Sequence, residues 1–514
     1  MKLITKQAKR SEQKRFALNR IIAAALSLVL FALIFTGCEN TADEPEYPSG
    51  SVPVNKPINT TGGSVNIGFS AEDSLNPYFT ATDLNSDIMP LIFEPLFYLD
   101  DTFCARPSLA YSYSTDGTAL TVRLSTSVAF SDGIQFSSAD VIYSFNLAKN
   151  SDMYKNELSD ILSATAKSAD TVVFTLRSEN KNAVDSLTFP IVKTQTANDA
   201  NSLPVGTGLY KIVKTGSDTK LQHNPYSRLP YPNLTTVNLI SIPPSSTLIH
   251  TLELGTIDAY FDNMASGSYS QANAQTAKTN LSNLVFLGIN SNSYGLSTAA
   301  MRQAVYYSIN RQSVVTNSFK KHAVESAIPY HPEWHVINDE QFDTSALVLD
   351  YSKAKDLMKN AGFKDNLNYR LIVYSGNNFK VAAAKEIKQS LENVGINITI
   401  TELTWDAYTT ALANGDYDFY IGEIKLPENM NLSAALASDG VVKGILPTDT
   451  TAAAYTEFVG GKITLEAFTS SFLQNIPFVP ICFRMGILIC SNIITPAPDC
   501  DAGNVYKNIY EWKK

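Results

Sequence analysis

The segment 371–421 most constrains the fold, because its apolar residues switch repeatedly between the period of a strand and that of a helix. Strand, helix, strand, helix, strand is a βαβ series, which builds a parallel or mixed sheet. The ligand cleft of such a sheet lies beyond the carboxyl ends of its strands. The predicted elements are strands at 371–373, 396–400 and 419–421, with helices at 381–394 and 405–413 between them.

The first half of the body shows the same mixture of periods. Ser137 followed by Asp140 resembles a capping box and predicts a helix that begins there. A second helix over 245–254 ends at Gly255 and leads into an apolar stretch. Apolar residues alternate with polar or small ones in the remaining strand candidates, which fall at 65–69, 120–124 and 172–176, with the apolar stretch at 257–261 as a fourth. The body is therefore predicted to be α/β, in at least two lobes.

The amino-terminal head has a basic start, an uncharged apolar run over 21–36 and then Cys38. The run is shorter than the roughly 20 residues of a spanning helix and suits an export signal. Thr36-Gly37-Cys38 resembles a bacterial lipoprotein signal, which implies a signal peptide over 1–37 and lipid attachment at Cys38. A retained transmembrane helix is the alternative. Residues 38–63 lack large apolar side chains and are predicted to form a flexible tether.

Composition excludes some classes of partner and leaves the cysteines open. The net charge of −9 argues against a nucleic-acid groove, so no nucleic-acid partner is expected. If Cys38 carries lipid, four thiols remain, and the sequence alone does not pair them. A short bridge between Cys490 and Cys500 and a set of unpaired thiols are both compatible with the sequence. The four residues are Cys104, Cys482, Cys490 and Cys500.

The motifs of common enzymes are absent or incomplete in the sequence. His331 and His335 stand four apart, but Pro332 argues against the helix that would bring both rings to one metal ion, so a surface loop is predicted there. The stretch 206–208 offers two glycines of a dinucleotide loop, but Lys211 stands in place of the third and a strand follows. No catalytic residue, metal site or cofactor is therefore predicted.

A series of ordered motifs runs through the body: LNPYF (75–79), FEPLFYLD (93–100), VRLSTSVAFSDGIQFSSADVIYSF (122–145), PVGTGLY (204–210), LELGTID (252–258), RQAVYYSINR (302–311) and YSKAKDLMKNAGF (351–363). Together they resemble the family 5 extracellular solute-binding proteins of ABC importers, the oligopeptide, dipeptide and nickel-binding group. Ser138 takes the place of the usual Ala, and Asn310 that of the usual Asp. The resemblance runs from about residue 64 to residue 422.

The resemblance implies an α/β, bilobed fold like that of type II periplasmic binding proteins, with an extra domain in the N-terminal half. It implies that the protein is not an enzyme. The implied protein is a monomeric receptor that is lipid-anchored on the extracytoplasmic side of the cell membrane. This receptor binds a peptide or similar small solute between closing lobes and delivers it to ABC permease subunits with their ATPases. A sensory lipoprotein serving a membrane kinase and a secreted hydrolase are the alternatives. The implied parts are lobe I (64–95, 201–285 and 471–514), extra domain II (96–200) and lobe III (286–470).

The resemblance also suggests ligand-binding residues. Trp405 aligns with a Trp at a helix start in peptide-binding members, where the indole lines a side-chain pocket. Those members commonly hold the peptide α-ammonium with an Asp after a Gly-Trp pair, whereas this chain has Glu423 after Gly422. A buried ammonium needs a paired carboxylate, so Glu423 replaces that Asp or the solute has no free amino terminus. The candidate residues are Asn76 and Tyr78 from lobe I with Trp405, Tyr408 and Glu423 from lobe III.

Overall fold

The computed structural model describes residues 62–514 except 217, 244–246, 346, 364–365 and 447–449. The predicted signal peptide, the lipid-attachment residue Cys38 and the tether as far as residue 61 lie outside these residues. Within the described part of the chain, no helix is both long enough and apolar enough to cross a membrane.

Strands and helices mix along the described chain. The strands are β1 (Gly63–Phe69), β2 (Phe97–Leu99), β3 (Ala105–Pro107), β4 (Ala110–Asp116), β5 (Ala119–Leu124), β6 (Ile161–Ser168), β7 (Thr171–Leu176), β8 (Tyr210–Thr215), β9 (Asp218–His223), β10 (Leu234–Ser241), β11 (Ala259–Asp262), β12 (Gln275–Ile289), β13 (Ala323–Glu325), β14 (Leu367–Tyr374), β15 (Ile396–Leu403), β16 (Phe419–Lys425) and β17 (Phe478–Cys490). The helices are α1 (Asp83–Ile88), α2 (Ser138–Ala148), α3 (Leu248–Glu253), α4 (Ala299–Ser308), α5 (Arg311–Ser313), α6 (His335–Asp339), α7 (Tyr351–Asn360), α8 (Asn378–Glu392), α9 (Trp405–Asn414), α10 (Ser433–Leu436), α11 (Thr451–Val459) and α12 (Leu465–Asn475).

One large mixed sheet runs through both lobes, in the order β15-β14-β16-β12-β17-β11-β1-β10-β9-β8, and β13 pairs with β17. Its lobe I half is built around β1, which is parallel to β10 and β11. Its lobe III half is built around β14, which is parallel to β15 and β16. A separate sheet, β4-β5-β7-β6, lies within domain II. The predicted βαβ series is therefore confirmed, with α8 and α9 as its crossover helices.

The long antiparallel strands β12 and β17 connect the two halves of this sheet. Residues 275–280 of β12 pair with the end of β17, and residues 284–288 pair with its beginning. The pairing register breaks between Asn280 and Leu284. Such an interruption leaves residues without ladder partners and bends the strand. The domain boundaries given above stay predictions, and this break lies close to the predicted end of a lobe I segment at residue 285.

The residues predicted from the sequence to begin or end helices have the expected hydrogen bonds and backbone conformations. Asp140 accepts the backbone N–H of Ser137 at 3.0 Å and so completes the capping box of α2. Gly395 and Gly415 have φ angles of 84° and 69°, a left-handed conformation that ends each crossover helix. Gly255 does the same after α3, with φ of 69°. The described part of that helix begins at Leu248, later than the predicted start.

The HPEWH stretch is not a surface loop, and that prediction is wrong. His331 is fully buried, with its ring centroid 4.9 Å from that of Phe103 and 5.1 Å from that of Phe483. Burial lowers the pKa of His331 to about 3, so the ring is neutral. His335 begins α6 and lies 2.9 Å from Asp339. His331 and Trp334 are buried while Glu333 is exposed, and His331 is covered by Phe103 of domain II and Phe483 of β17, tertiary contacts that local sequence does not encode.

Three cysteines are free and buried, Cys482, Cys490 and Cys500. The possible bridge between Cys490 and Cys500 is therefore not formed. Burial raises the pKa of all three thiols, that of Cys500 to about 12. These residues consequently act as small apolar side chains in the core rather than as reactive thiolates.

Domain II contacts lobe III through charged and polar side chains. Lys181 forms an ion pair of 2.6 Å with Glu340. Glu157 accepts the backbone N–H of Glu428 at 2.6 Å. The Glu428 carboxyl group adds to the cost of ionising Glu157, because the two groups carry like charges. This interface therefore has a built-in dependence on pH.

Raising the pH from 5 to 8 should weaken this interface. Burial raises the pKa of Glu157 to about 7, and Glu428 adds to the shift against the opposing effect of Lys425. A glutamate in an unfolded chain titrates at about 4.3. The folded state thus binds the proton of Glu157 more tightly than the unfolded state does. The stability that this proton contributes is fully present below pH 4.3 and is lost as the pH rises through 7. Glu157→Gln should reduce the pH-dependent loss in free energy of unfolding by about 2 kcal/mol.

Urea denaturation at pH 5 and pH 8 measures this difference. The matched control is Glu72→Gln, because Glu72 is exposed on a loop of lobe I. If Glu157→Gln loses as much stability between the two pH values as the wild type does, Glu157 does not titrate in this range.

Candidate functional site

The carboxyl ends of two sets of parallel strands form the edges at which a ligand site is expected. In lobe III, Tyr374 ends β14, Trp405 begins the helix after β15, and Glu423 lies near the end of β16. Because these strands are parallel, the three residues lie along one edge of the sheet. In lobe I, β1, β10 and β11 end at a common edge for the same reason.

An exposed aromatic group stands on the lobe III edge. The Trp405 side chain is 57% exposed, which is high for the largest apolar side chain. Its ring centroid lies 5.3 Å from that of Tyr374 and 6.0 Å from that of Tyr408, which it stacks upon. The Tyr408 hydroxyl donates to the carbonyl oxygen of Ile421 at 2.7 Å and is buried. Trp405 is therefore available to a ligand, while Tyr408 holds it against the sheet.

Glu423 belongs to a buried cluster with two cations. One carboxylate oxygen accepts Nε of Arg484 at 2.6 Å and Nδ2 of Asn283 at 3.0 Å. The other lies 2.8 Å from Nζ of Lys380, in the first turn of α8. Burial alone would raise the pKa of Glu423, but Arg484 and Lys380 outweigh burial and lower it. The carboxylate is therefore ionised and fully engaged by groups of the protein itself.

The cluster is attached to the crossing segment, residues 263–274, which connects β11 with β12. Arg484 donates a hydrogen bond from its guanidinium to the carbonyl oxygen of Asn263, just after β11. The side chain of Asn377, which caps α8, donates to the carbonyl oxygen of Ala265 at 3.2 Å. The Asn377 contact holds the crossing segment against lobe III in this conformation, and the Arg484 contact ties it to β17.

A cavity of about 380 Å³ opens at the lobe I edge, between α1, α3, the end of β11 and the crossing segment. This volume falls within the range of small-molecule sites. Burial raises the pKa of Asp262 and, together with the neighbouring Asp83, that of Asp87. The lining residues are Thr82, Asp83, Leu84, Asp87, Thr247, Leu248, Ile249, Tyr260, Phe261, Asp262, Asn263, Ser266, Ser268 and Ser270.

Asn76 and Tyr78 lie apart from both edges. Both side chains are buried, and Asn76 donates from Nδ2 to the carbonyl oxygen of Asp199 at 2.9 Å. The Tyr78 hydroxyl donates to the carbonyl oxygen of Pro190. These bonds join lobe I to domain II. A role for these two residues in binding solute stays a prediction, and in this conformation their polar groups are engaged within the protein.

The structure thus brings Trp405 and Tyr408 together, places Glu423 in a separate ionic cluster, and keeps Asn76 and Tyr78 elsewhere. Sequence reasoning missed the residues that complete each group. Tyr374 was detectable as the residue that directly follows the predicted strand 371–373 on the same edge. Lys380 and Arg484 carried no such signal, because they meet Glu423 only through long-range packing.

Sequence comparison relates most of this chain to known proteins. A model of the bacterial extracellular solute-binding proteins, family 5 middle region, matches residues 105–429. The oligopeptide-binding protein AppA of Bacillus subtilis is 24% identical over 431 residues, covering 76% of this chain and 78% of AppA.

Solved structures show the same fold. The ABC transporter substrate-binding protein CtaP of Listeria monocytogenes has a TM-score of 0.70 at 19% identity, over 88% of this chain and 99% of CtaP. AppA of Bacillus subtilis in complex with a nonapeptide has a TM-score of 0.58 at 19% identity, over 88% of this chain and 99% of AppA. The predicted type II periplasmic-binding-protein fold is confirmed. The chain belongs to the bacterial extracellular solute-binding proteins of family 5.

Proposed function

We propose that this protein is a membrane-tethered receptor that captures a peptide or similar small solute between lobes I and III and delivers it to an ABC permease. One observation carries the proposal: each lobe has an edge where parallel strands end, which is where such sheets bind ligands. The long strands β12 and β17 connect the two edges, and their pairing register is interrupted. One edge presents an exposed aromatic group and the other a cavity. The relative AppA is named for binding oligopeptides, which supports a peptide as the solute.

Trp405 is the central contact in this proposal. A flat, amphipathic indole offers a large area to varied side chains at a small entropic cost. Tyr408 supports it from behind, and Tyr374 extends the surface. The proposed ligand-binding set also keeps Asn76, Tyr78 and Glu423. Their polar groups are bonded within the protein here, so they would contact solute only after the lobes rearrange and these bonds break.

Solute drives closure only if it binds the closed arrangement more tightly than the open one. We propose that the domain II contacts with lobe III, among them the Lys181 to Glu340 ion pair, are kept in the closed arrangement and add to its stability. The closed surface is then what the permease subunits and their ATPases recognise. The solute leaves chemically unchanged, since the proposed site is one of binding and not of catalysis.

Trp405→Ala should weaken solute binding at least about tenfold, because the largest exposed ring on the lobe III edge is lost. The measurement identifies small molecules that copurify with the full chain by mass spectrometry and titrates the main species by calorimetry. Tyr294→Ala is the matched control. Tyr294 is also strongly exposed, but it follows β12, which runs antiparallel to β16, and so lies at the opposite edge of lobe III. Unchanged affinity in Trp405→Ala would remove Trp405 from the site.

The lipid anchor has its own test. Cys38→Ala should abolish incorporation of labelled fatty acid into the protein, because the two acyl chains that provide stable anchoring would be attached at Cys38. Metabolic labelling followed by immunoprecipitation measures the incorporation, with Cys482→Ala, at a buried thiol of β17, as the control. A wild-type protein that stays in the membrane fraction without incorporating the label would favour an uncleaved helix instead.

A further inference from the structure

His335 lies where lobe III meets domain II, at the beginning of α6. Its backbone N–H donates to the carbonyl oxygen of Thr102 in domain II at 2.9 Å. Its ring lies between two carboxylates, because Nδ1 is 2.9 Å from Asp339 on the same helix and Nε2 is 3.4 Å from Asp185 in domain II. The His335 side chain keeps only 14% of its surface exposed and that of Asp185 only 3%, so the contact is largely shielded from water.

The two carboxylates determine how many protons the ring needs. Carboxylate oxygens accept hydrogen bonds, and a neutral imidazole has one N–H group whereas the charged form has two. A neutral ring would direct an unshared electron pair at one of the carboxylates. The ring of His335 therefore bridges Asp185 and Asp339 with two hydrogen bonds only when it carries its second proton.

The charges around the ring favour this second proton. Burial alone would lower the pKa of His335, but Asp185 and Asp339 outweigh burial and raise it. Burial also raises the pKa of Asp185, against the opposing effect of His335. A proton shared by the two side chains joins them whichever one holds it. The charged groups on the elements packed around the ring are Asp100, Arg106, Lys181, Asp185, Asp339 and Glu340.

Those other charges are already paired, so they do not replace the proton. Asp100 forms an ion pair of 2.7 Å with Arg106, and Lys181 forms its ion pair with Glu340. Lys181 is therefore engaged at a neighbouring point of the same interface. Loss of the proton from His335 would leave a buried carboxylate facing an acceptor nitrogen, which is unfavourable in a site with little water.

We propose that the ring of His335 with Asp185 and Asp339 forms a proton-dependent clasp, which holds domain II against lobe III when the ring is charged and loosens when it is neutral. The clasp itself follows from the contacts in the structure. Its consequence for solute rests on the proposed function, in which the contacts between domain II and lobe III add to the stability of the closed arrangement. Solute should then be held longer at acidic than at alkaline pH.

The direction of the pH response follows from the two states of the chain. A histidine in an unfolded chain titrates at about 6.5. The folded pKa of His335 is higher, so the stability that its proton contributes is fully present below about 6.5 and is lost as the pH rises through the folded value. The clasp is therefore complete at pH 5 and weakened at pH 8.

The distance between domain II and lobe III tests the clasp. Spin labels at Leu162→Cys in domain II and Val348→Cys in lobe III report it by pulsed electron resonance, since both positions are exposed. All labelled proteins carry Glu157→Gln, so that Glu157 adds nothing to the response. We expect a narrow distance distribution at pH 5 and a broader one at pH 8. His335→Gln, whose side chain donates but never becomes charged, should give the broad distribution at both pH values.

Two further variants sharpen the test. His250→Gln is the matched control, because the exposed ring of His250 lies 3.1 Å from Glu253 in lobe I, and it should leave the pH response unchanged. Asp339→Asn removes one of the two carboxylates beside His335, and should shift the midpoint of the response to lower pH by about 1 unit. Asp339 is well exposed, so this variant tests the clasp even if His335→Gln does not fold.

An equal response to pH with and without His335 would overturn the inference, and so would an unmoved midpoint in Asp339→Asn. These distances need no added solute, so either result leaves the proposed capture of solute standing. A clasp that responds as expected, while copurified solute leaves no faster at pH 8 than at pH 5, would confirm the clasp and contradict its proposed part in closure.

Discussion

Gly206→Ala should unfold much of the protein at temperatures where the wild type is folded. A Cβ atom at Gly206 would lie 2.1 Å from the carbonyl oxygen of Ile92 and 2.6 Å from a ring carbon of Phe93. The neighbouring backbone is fixed on both sides, since Gly208 donates to the Ile92 carbonyl at 2.9 Å and Ser131 donates to the Gly206 carbonyl at 2.9 Å. We expect a loss of about 4 kcal/mol, at the upper end for single substitutions.

Denaturation in urea, followed by circular dichroism, measures this loss. Gly503→Ala is the control, because a Cβ atom there would have its nearest neighbour at 3.7 Å. A loss below about 1 kcal/mol in Gly206→Ala would show that the segment 204–210 moves aside easily, and that its glycines serve another purpose.

Glu423→Gln should be the second large effect, with a loss of about 3 kcal/mol in free energy of unfolding. Arg484 and Lys380 keep only 5% and 18% of their side-chain surface exposed, and the substitution removes the carboxylate that both of them contact. Lys380→Met in the Glu423→Gln background should recover part of the loss, because one of the two uncompensated cations is then gone.

The matched control for this prediction is Glu392→Gln. Glu392 forms an exposed ion pair of 3.5 Å with Lys388 on α8, and such pairs contribute less than about 1 kcal/mol. Equal losses in Glu423→Gln and Glu392→Gln would mean that water reaches the cluster freely. A double variant no more stable than Glu423→Gln would mean that Lys380 is not held by Glu423.

Sequence reasoning predicted those parts of the fold that local periodicity controls. Strands such as β14 and β15 and the helix between them follow from the spacing of apolar residues, and Gly395 ends that helix because it adopts a positive φ. The capping box at Ser137 is likewise a matter of four neighbouring residues. These features need no knowledge of the rest of the chain.

Features that depend on distant segments could not be predicted in this way. Glu423 on β16 meets Arg484 on β17 across the intervening strand β12, so its role as an internal ion-pair partner became visible only in the folded chain. The burial of His331 likewise depends on Phe103 in another domain. Gly206 is explained by contact with Ile92, more than a hundred residues earlier, and not by a phosphate.

The distance between lobes I and III, with and without solute, tests the central claim most directly. Spin labels at Leu254→Cys and Val348→Cys would report it by pulsed electron resonance, since both positions are exposed and lie in different lobes. We predict that the distance distribution shifts and narrows when the copurified solute is added at saturating concentration. A distribution that stays the same while calorimetry records full binding would contradict capture by closure of two lobes.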